Sequence, residues 1–402
     1  MSPVADAAVL GRVVTPVAVL DPGAVLLRGH RIVAVEPATG LKLSGLAVLE
    51  APDGGYVLPG LVDVHNHGGG GASFPDAATG QEAMTAVLQH RRHGTTTLVA
   101  SLVTAQAEVL IARTRTLTEL CEADEIAGLH YEGPFLSAAR CGAQNPAALM
   151  TPDPDLVAEL LALARGHAVA MTLAPELPGA HDVVAALVAG GALPSFGHTN
   201  ATARTTREAL AAGFGALAAT KAQVPSLRPT VTHLFNAMRP LHHRDPGPIA
   251  EMLAAANRGH AVLELIGDGV HLDPHLVRAI YEMVGRDHIV LVTDAMAAAG
   301  MPDGDYLLGG LAVTVAGGVA HLTGSDAIAG GTAHLIDVVR VTVAGGVPLV
   351  DAVYMAATGP ARVLGRTDVG ALTAGRRADL VLTDAGLRVV RVLRAGIPVS
   401  SA

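Results

Sequence analysis

Val57-Leu58-Pro59-Gly60-Leu61-Val62-Asp63-Val64-His65-Asn66-His67 is an apolar run of strand length that ends in two histidines one residue apart. Alternate residues of a strand point to the same side, so both imidazoles can face one ion. A His-x-His pair is a weak signal alone. Its weight comes from the rest of the chain, where other apolar runs end in polar residues of the same kind. Ile126–Tyr131 is followed by Glu132, Leu193–Phe196 by His198, and Thr230–Thr232 by His233. Ala261–Ile266 leads to Asp268 and His271, and Ile289–Thr293 to Asp294. Two further runs, Thr95–Ser101 and Val169–Ala174, complete a set of eight.

The segments between the runs are rich in Ala, Leu, Glu and Arg, with apolar positions three and four residues apart. That pattern predicts helices over Gln81–Arg92, Glu108–Glu122, Leu156–Arg165, His181–Ala189, Arg204–Ala212, Ile249–Asn257 and Pro274–Val284, with Ala333–Val343 as the eighth. Separations of roughly 25 to 40 residues between successive runs leave room for a crossover helix. Eight alternations of strand and helix point to the α/β class and a closed (β/α)8 TIM-type barrel. In such barrels the chemistry sits at the C-terminal ends of the strands. His65, His67, Glu132, His198, His233, His271 and Asp294 all fall at that end.

Residues 1–55 and 369–402 read differently. Short Val/Leu runs such as Ala18–Val25 and Leu26–Val35 alternate with Gly, Pro and Asp turns, as in hairpins. Neither flank can build a comfortable core alone. The expectation is that they pair into one small β-sandwich domain, with the catalytic barrel over 56–368. Ala218–Pro229 reads as a surface loop. Gly304–Gly331 reads as a hairpin plus a loop over the barrel mouth, a common place for gating.

Composition removes several function classes. The formal charge of −9, with no basic stripe, disfavours nucleic acid as a partner. None of the apolar runs is long enough to span a membrane. Met1–Arg12 shows no basic stretch followed by an apolar one, and the two cysteines, Cys121 and Cys141, make no disulfide framework. A reduced, cytoplasmic setting is the simpler expectation. Phe135, Phe196 and Phe235 sit inside the metal-type motifs and are expected mainly to pack the barrel mouth.

Each motif has a plain alternative. Glu132 could be a cap or a turn residue, but the Gly133-Pro134 that follows it reads as a tight turn aiming the side chain. It could bridge two metals or ligate one. A carbamylated lysine would be the usual bridge in related barrels, yet the two lysines, Lys42 and Lys221, lie far from any strand end. His198 and His233, singly, read as ordinary buried histidines. Together with Glu132 they make a three-ligand site with an open position. Asp294 can ligate weakly, and beside a divalent cation it is ionised and suited to be a base. Asn236, Arg244 and His271 read either as solvated loop residues or as anion contacts.

Taken in order, these motifs resemble one family. They are Pro59-Gly60-Leu61-Val62-Asp63-Val64-His65-Asn66-His67, His130-Tyr131-Glu132-Gly133-Pro134-Phe135, Gly197-His198-Thr199-Asn200-Ala201-Thr202, Thr232-His233-Leu234-Phe235-Asn236-Ala237-Met238, Asp268-Gly269-Val270-His271 and Thr293-Asp294-Ala295-Met296. They are similar to the N-acetylglucosamine-6-phosphate deacetylases of the amidohydrolase superfamily. The likeness extends to Gly359-Pro360-Ala361-Arg362 and Gly375-Arg376-Arg377-Ala378-Asp379-Leu380.

The resemblance implies hydrolysis of the acetamide of N-acetyl-D-glucosamine 6-phosphate, in amino-sugar catabolism and cell-wall recycling. It implies Glu132, His198 and His233 as metal ligands and Asp294 as acid/base. It also implies Ala143, Gln144, Asn236, Ala237, Arg244, His271 and the Leu322-Thr323-Gly324 segment as substrate contacts, and a homodimer. The cofactor is then a divalent metal, zinc first, with iron, cobalt or manganese as other options. Some members carry Gln-x-Asn where this chain has His65 and His67, and hold one metal; the two histidines favour a second ion bridged by Glu132. Many members have histidine at the place of Gln144, and glutamine can donate a hydrogen bond but carries no charge. The rival readings are the galacto epimer as substrate, another amide, and a catalytically silent relative.

Overall fold

The computed structural model describes residues 5–400. Its centre is a parallel barrel of eight strands: Leu61–Asp63, Thr95–Leu102, Gly128–Glu132, Ala168–Leu173, Leu193–Phe196, Thr230–Val231, Val262–Leu265 and Ile289–Leu291. Each strand is laddered to the next. The eighth returns to the first just beyond the strand ends, where Asp294 N–H donates to His65 O (3.0 Å) and His67 N–H to Ala295 O (2.7 Å). The ring therefore closes at the level of the metal-type residues themselves.

The period of two decides what fills the ring. Val62, Val99, Val169, Leu193, Val262 and Val290 form one buried cluster. Their neighbours Leu61, Leu98, Ala168, Leu263 and Leu291 belong instead to the cluster that holds the helices' apolar faces. Those helices are Gly80–Arg92, Ala107–Glu122, Pro154–Ala164, Ala180–Ala189, Ala203–Ala219, Ile249–Asn257, Pro274–Val284 and Leu335–Ala344. Side chains satisfy several first-turn donors: Asp153 accepts from Asp155 and Leu156 N–H, and Asp273 from His275 N–H. Pro154 and Pro274 fill first-turn positions where no N–H is needed.

Three expectations change. The run Val57–Val64 is two strands, not one. Tyr56–Pro59 pairs with Leu380–Thr383 and with Ala7–Val14 in the terminal sheet, and only Leu61–Asp63 enters the barrel. Gly60 makes the transfer: its N–H donates to Asp379 O (2.9 Å), and a Cβ there would lie 2.2 Å from Thr96 Oγ1. The fifth helix continues to Ala219 instead of stopping at Ala212, so the irregular stretch of the insertion begins at Thr220. A Cβ at Gly213, inside that helix, would meet Phe196 at 3.4 Å, an ordinary contact. The segment after the eighth strand is a three-stranded sheet, Gly304–Leu308, Leu311–Ala316 and Val319–Leu322, one strand more than a hairpin. Val313, Val315 and Leu308 seat it on Val103, Met296 and Ala298, and Asp76 accepts the N–H groups of Gly309 (3.0 Å) and Gly310 (2.8 Å).

The remaining strands of both termini, Val19–Arg28, Arg31–Pro37, Ala47–Glu50, Val389–Arg394 and Ile397–Pro398, join the same mixed terminal sheet. This is the small β-sandwich unit built from both ends of the chain. Val9, Val13, Val25, Leu27, Ile32 and Val57 share its core with Leu380, Leu382 and Leu393. Among the described residues no helix is long and apolar enough to cross a membrane.

Candidate metal centre and active site

His65, His67, Glu132, His198, His233 and Asp294 converge at the C-terminal mouth of the barrel, all buried. Glu132 is the hub. Its Oε1 lies 2.8 Å from His233 Nε2, 3.1 Å from His198 Nε2 and 3.6 Å from His65 Nε2. Its Oε2 lies 3.2 Å from His67 Nε2. Asp294 Oδ1 is 3.1 Å from His67 Nε2 and 3.3 Å from His65 Nε2. The donors fall into two groups that share Glu132: His65 with His67, and His198 with His233.

The protonation pattern shows what this arrangement fits. His67 Nδ1 faces Ser101 O (3.1 Å) and His198 Nδ1 faces Arg140 O (3.0 Å). A carbonyl only accepts, so those Nδ1 atoms carry the protons and Nε2 keeps its lone pair. Yet Nε2 meets Nε2 at 3.1 Å in both histidine pairs, with carboxylate oxygens alongside. Lone pairs packed against carboxylates repel, and a cation among them converts that repulsion into coordination. The buried imidazole and carboxylate donors fit a divalent metal.

Without an ion, protons take that load. Burial alone lowers the His65 and His67 imidazoles, but Asp294, Glu132 and, for His65, Glu264 outweigh it and raise them to about 10 and about 9. Burial alone raises Asp294, yet His65 and His67 bring it down to about 2. Glu132 is likewise driven up by burial and then held well below the usual carboxylate range by His198, His233 and His67.

Three of the six residues, each placed just past its strand, adopt left-handed backbone: His198 (φ 46°), His233 (φ 28°) and Asp294 (φ 48°). L residues rarely hold that conformation outside sites that constrain it. Asp294 is fixed on both sides, by its N–H to His65 O and by Gly331 N–H to its own carbonyl (2.6 Å).

Beneath the donors lies a polar layer that sequence reading missed. His130 is buried, with Nδ1 3.0 Å from Ser101 Oγ and Nε2 2.8 Å from Thr172 Oγ1. Thr172 continues to Thr232 (2.7 Å) and Thr232 to Ser195 (2.6 Å). Asp63 ties the first strand to the eighth through Thr293 Oγ1 (2.6 Å) and accepts locally from Asn66 Nδ2 (3.1 Å), and burial raises its carboxyl to about 6. Glu264 meets His65 Nδ1 at 2.9 Å. One signal was available: His130 and Glu132, like Val262 and Glu264, are two apart on one strand and so share a face.

A cavity of about 320 Å³ opens above the donors, lined by Ala143, Gln144, Asn236, Ala237 and His271 among others. Gln144 is already engaged: its oxygen accepts from Thr104 N–H (2.8 Å) and its nitrogen donates to Glu132 Oε2 (2.5 Å). Asp268 Oδ2 lies 2.8 Å from His271 Nδ1. Burial alone lowers His271, but Asp268 outweighs it and raises it above the usual imidazole value. Arg244 lies on the exposed His242–Asp245 turn, outside the lining. Leu322, Thr323 and Gly324 also stand back from it, and Asp326, Ala327, Ile328 and Gly330 line the cavity instead. Among the described residues no lysine or arginine lines it.

The amidohydrolase family model matches residues 56–398. The chain is 33% identical to N-acetylglucosamine-6-phosphate deacetylase of Lysinibacillus sphaericus, covering 89% of each. It is 32% identical to N-acetylgalactosamine-6-phosphate deacetylase of Escherichia coli O157:H7, covering 95% of this chain and 96% of that one. A solved mutant of N-acetyl-D-glucosamine-6-phosphate deacetylase from Mycobacterium smegmatis, in complex with N-acetyl-D-glucosamine-6-phosphate, is 41% identical. It superposes with a TM-score of 0.89 over 99% of this chain and 100% of that one.

Proposed function

The chain belongs to the amidohydrolase family, and we propose that it hydrolyses N-acetyl-D-glucosamine 6-phosphate to D-glucosamine 6-phosphate and acetate. The observation that carries this reading is the buried Glu132-centred donor set, with Asp294 beside it, at the floor of a cavity open to a small ligand. The similarity to a structure solved with that sugar phosphate supports it.

In this reading Glu132, His198 and His233 would hold one ion, and His65 and His67, with Glu132 in common, would hold a second. Zinc suits imidazole and carboxylate donors best, ahead of iron, cobalt or manganese. When bound, a divalent ion supplies Lewis acidity to an amide carbonyl and lowers the pKa of water. Asp294 is kept ionised and takes a proton at Oδ1 from the attacking water. The water oxygen bonds to the acyl carbon, the C–N bond breaks, and Asp294 delivers the proton to the leaving amine nitrogen. Gln144 holds Glu132 and offers its remaining N–H toward the acetyl group. Asn236, the Ala237 backbone and His271 receive the phosphate, with Arg244 reaching in from the exposed turn. Ala143, which lines the cavity, flanks the sugar. A cytoplasmic homodimer completes the proposal, as the family resemblance implies.

A second reading is the galacto epimer, favoured by the Escherichia coli relative. Acetate release from the gluco and galacto 6-phosphates and from both unphosphorylated sugars separates the cases. The gluco 6-phosphate should have the highest kcat/KM. A higher value for the galacto epimer overturns the substrate, and loss of the preference for phosphate overturns the phosphate contacts of Asn236, Ala237, Arg244 and His271.

A further inference from the structure

We propose that Glu264 is a positioning residue that sets the affinity of the His65–His67 site for its ion. It lies in the middle of the seventh barrel strand and is 4% exposed. Two positions after Val262, it points into the barrel, where that valine joins the interior cluster. A buried carboxylate is costly unless it is bonded and its charge is answered. Its Oε2 lies 2.9 Å from His65 Nδ1 and accepts the backbone N–H of His233 at 3.3 Å. Among the described residues, His65 is its one ion-pair partner.

The other three imidazoles have different backing. His67 and His198 rest Nδ1 on neutral backbone carbonyls, and His233 Nδ1 is buried with no partner. His65 alone has a full negative charge behind its ring. A carboxylate behind an imidazole fixes its tautomer and orientation and makes the opposite nitrogen a stronger donor. Glu264 therefore strengthens one donor group selectively. It also ties that group to the backbone of the other, because the same oxygen touches His65 and His233. Nothing in the proposed reaction needs Glu264 to meet substrate, since it is absent from the cavity lining.

This inference rests on His65 and His67 being ligands of a second ion. The test strips the parent, Glu264→Gln and Glu264→Ala of metal and reloads them with zinc. Elemental analysis counts ions per chain, and competition with a chromophoric chelator gives the site affinities. Glutamine keeps an acceptor for both N–H groups and loses only the charge. The parent should bind two ions. Glu264→Gln should weaken one site by about 10- to 100-fold, the usual range for such outer partners, and leave the other unchanged; Glu264→Ala should weaken it further. A merely structural role predicts something else, so the same change is made in a His65→Ala background. There Glu264→Gln should have no further effect on zinc binding. Two ions held by Glu264→Gln at parental affinity would overturn the role of Glu264 while leaving the two-ion centre intact. Equal weakening of both sites, or an undiminished effect in His65→Ala, would also overturn it. One ion in the parent would overturn the two-ion reading itself.

Discussion

Asp294→Asn isolates the acid/base step with little disturbance of the fold. Asparagine has nearly the same shape, and it tolerates left-handed backbone better than most residues, so the φ of 48° at this position is not a barrier. The hydrogen bonds that hold the position, Asp294 N–H to His65 O and Gly331 N–H to the Asp294 carbonyl, use backbone atoms only and survive the change. What disappears is the carboxylate 3.1 Å from His67 Nε2 and 3.3 Å from His65 Nε2, and with it the proton acceptor. General acid–base transfer is worth about 10²–10⁴ in rate, or roughly 2.7–5.4 kcal/mol at 1.36 kcal/mol per decade. Acetate release should therefore fall by at least 10² in kcat, with the Tm within a few degrees of the parent. Zinc content must be measured beside the rate, because the variant also removes a neighbour of the His65–His67 pair. A kcat within tenfold of the parent at full zinc content would refute the assignment. So would a loss that tracks zinc content and vanishes when zinc is saturating.

Removal of metal by a strong chelator should abolish acetate release, and added zinc should restore it; activity that survives a verified metal-free state would remove the metal from the proposal. Arg244→Ala should raise KM for the 6-phosphate substrate and leave the unphosphorylated sugar and the Tm unchanged, since Arg244 is exposed; unchanged discrimination between the two sugars would take Arg244 out of the phosphate site. Asp337 gives a pH prediction. Burial alone raises its carboxyl, but the hydrogen bonds of His334, with which it forms the capping box of Leu335–Ala344, bring it from 3.8 to about 2. A depressed carboxyl adds stability that is present above its unfolded value and lost as pH falls through the folded one. A shift of this size, discounted for solvent screening, means Asp337→Asn should cost about 1 kcal/mol near neutrality, and calorimetry should show that gap closing from about pH 4 down to about pH 2; a gap that widened on acidification would contradict it.

The barrel was legible because its two periods are local. Runs such as Ile126–Tyr131 and Ile289–Thr293 carry strand length and hydrophobicity in consecutive residues, and helices such as Ile249–Asn257 carry their apolar stripe the same way. The donors were legible because each follows its run directly, so strand ends and chemistry coincide in the numbering. Gly60 was harder. Val57–Val64 reads as one mainly apolar run, and its break at Gly60 is held by Asp379 and Thr96, partners remote in sequence. Helix five misled for a local reason: Gly213 weakens the helix signal, yet the helix runs through it to Ala219.

Glu264, His130 and Asp63 mark the same limit inside the site. Each sits within or against an apolar run, where a lone polar residue reads as noise until its partner is known. The partners, His65 for Glu264, Ser101 and Thr172 for His130, and Thr293 for Asp63, come from other strands. The sequence by itself determined the eight-fold alternation and which imidazoles and carboxylates stand together at the C-terminal end of the barrel. Tertiary structure alone decided that the donors divide into two groups about Glu132, that the ring closes through His65, His67, Asp294 and Ala295, and that Arg244 lies off the cavity. The reason is physical. Periodicity is a property of neighbours in the chain, whereas coordination, ring closure and the answering of a buried charge depend on distances between strands that only the closed barrel sets.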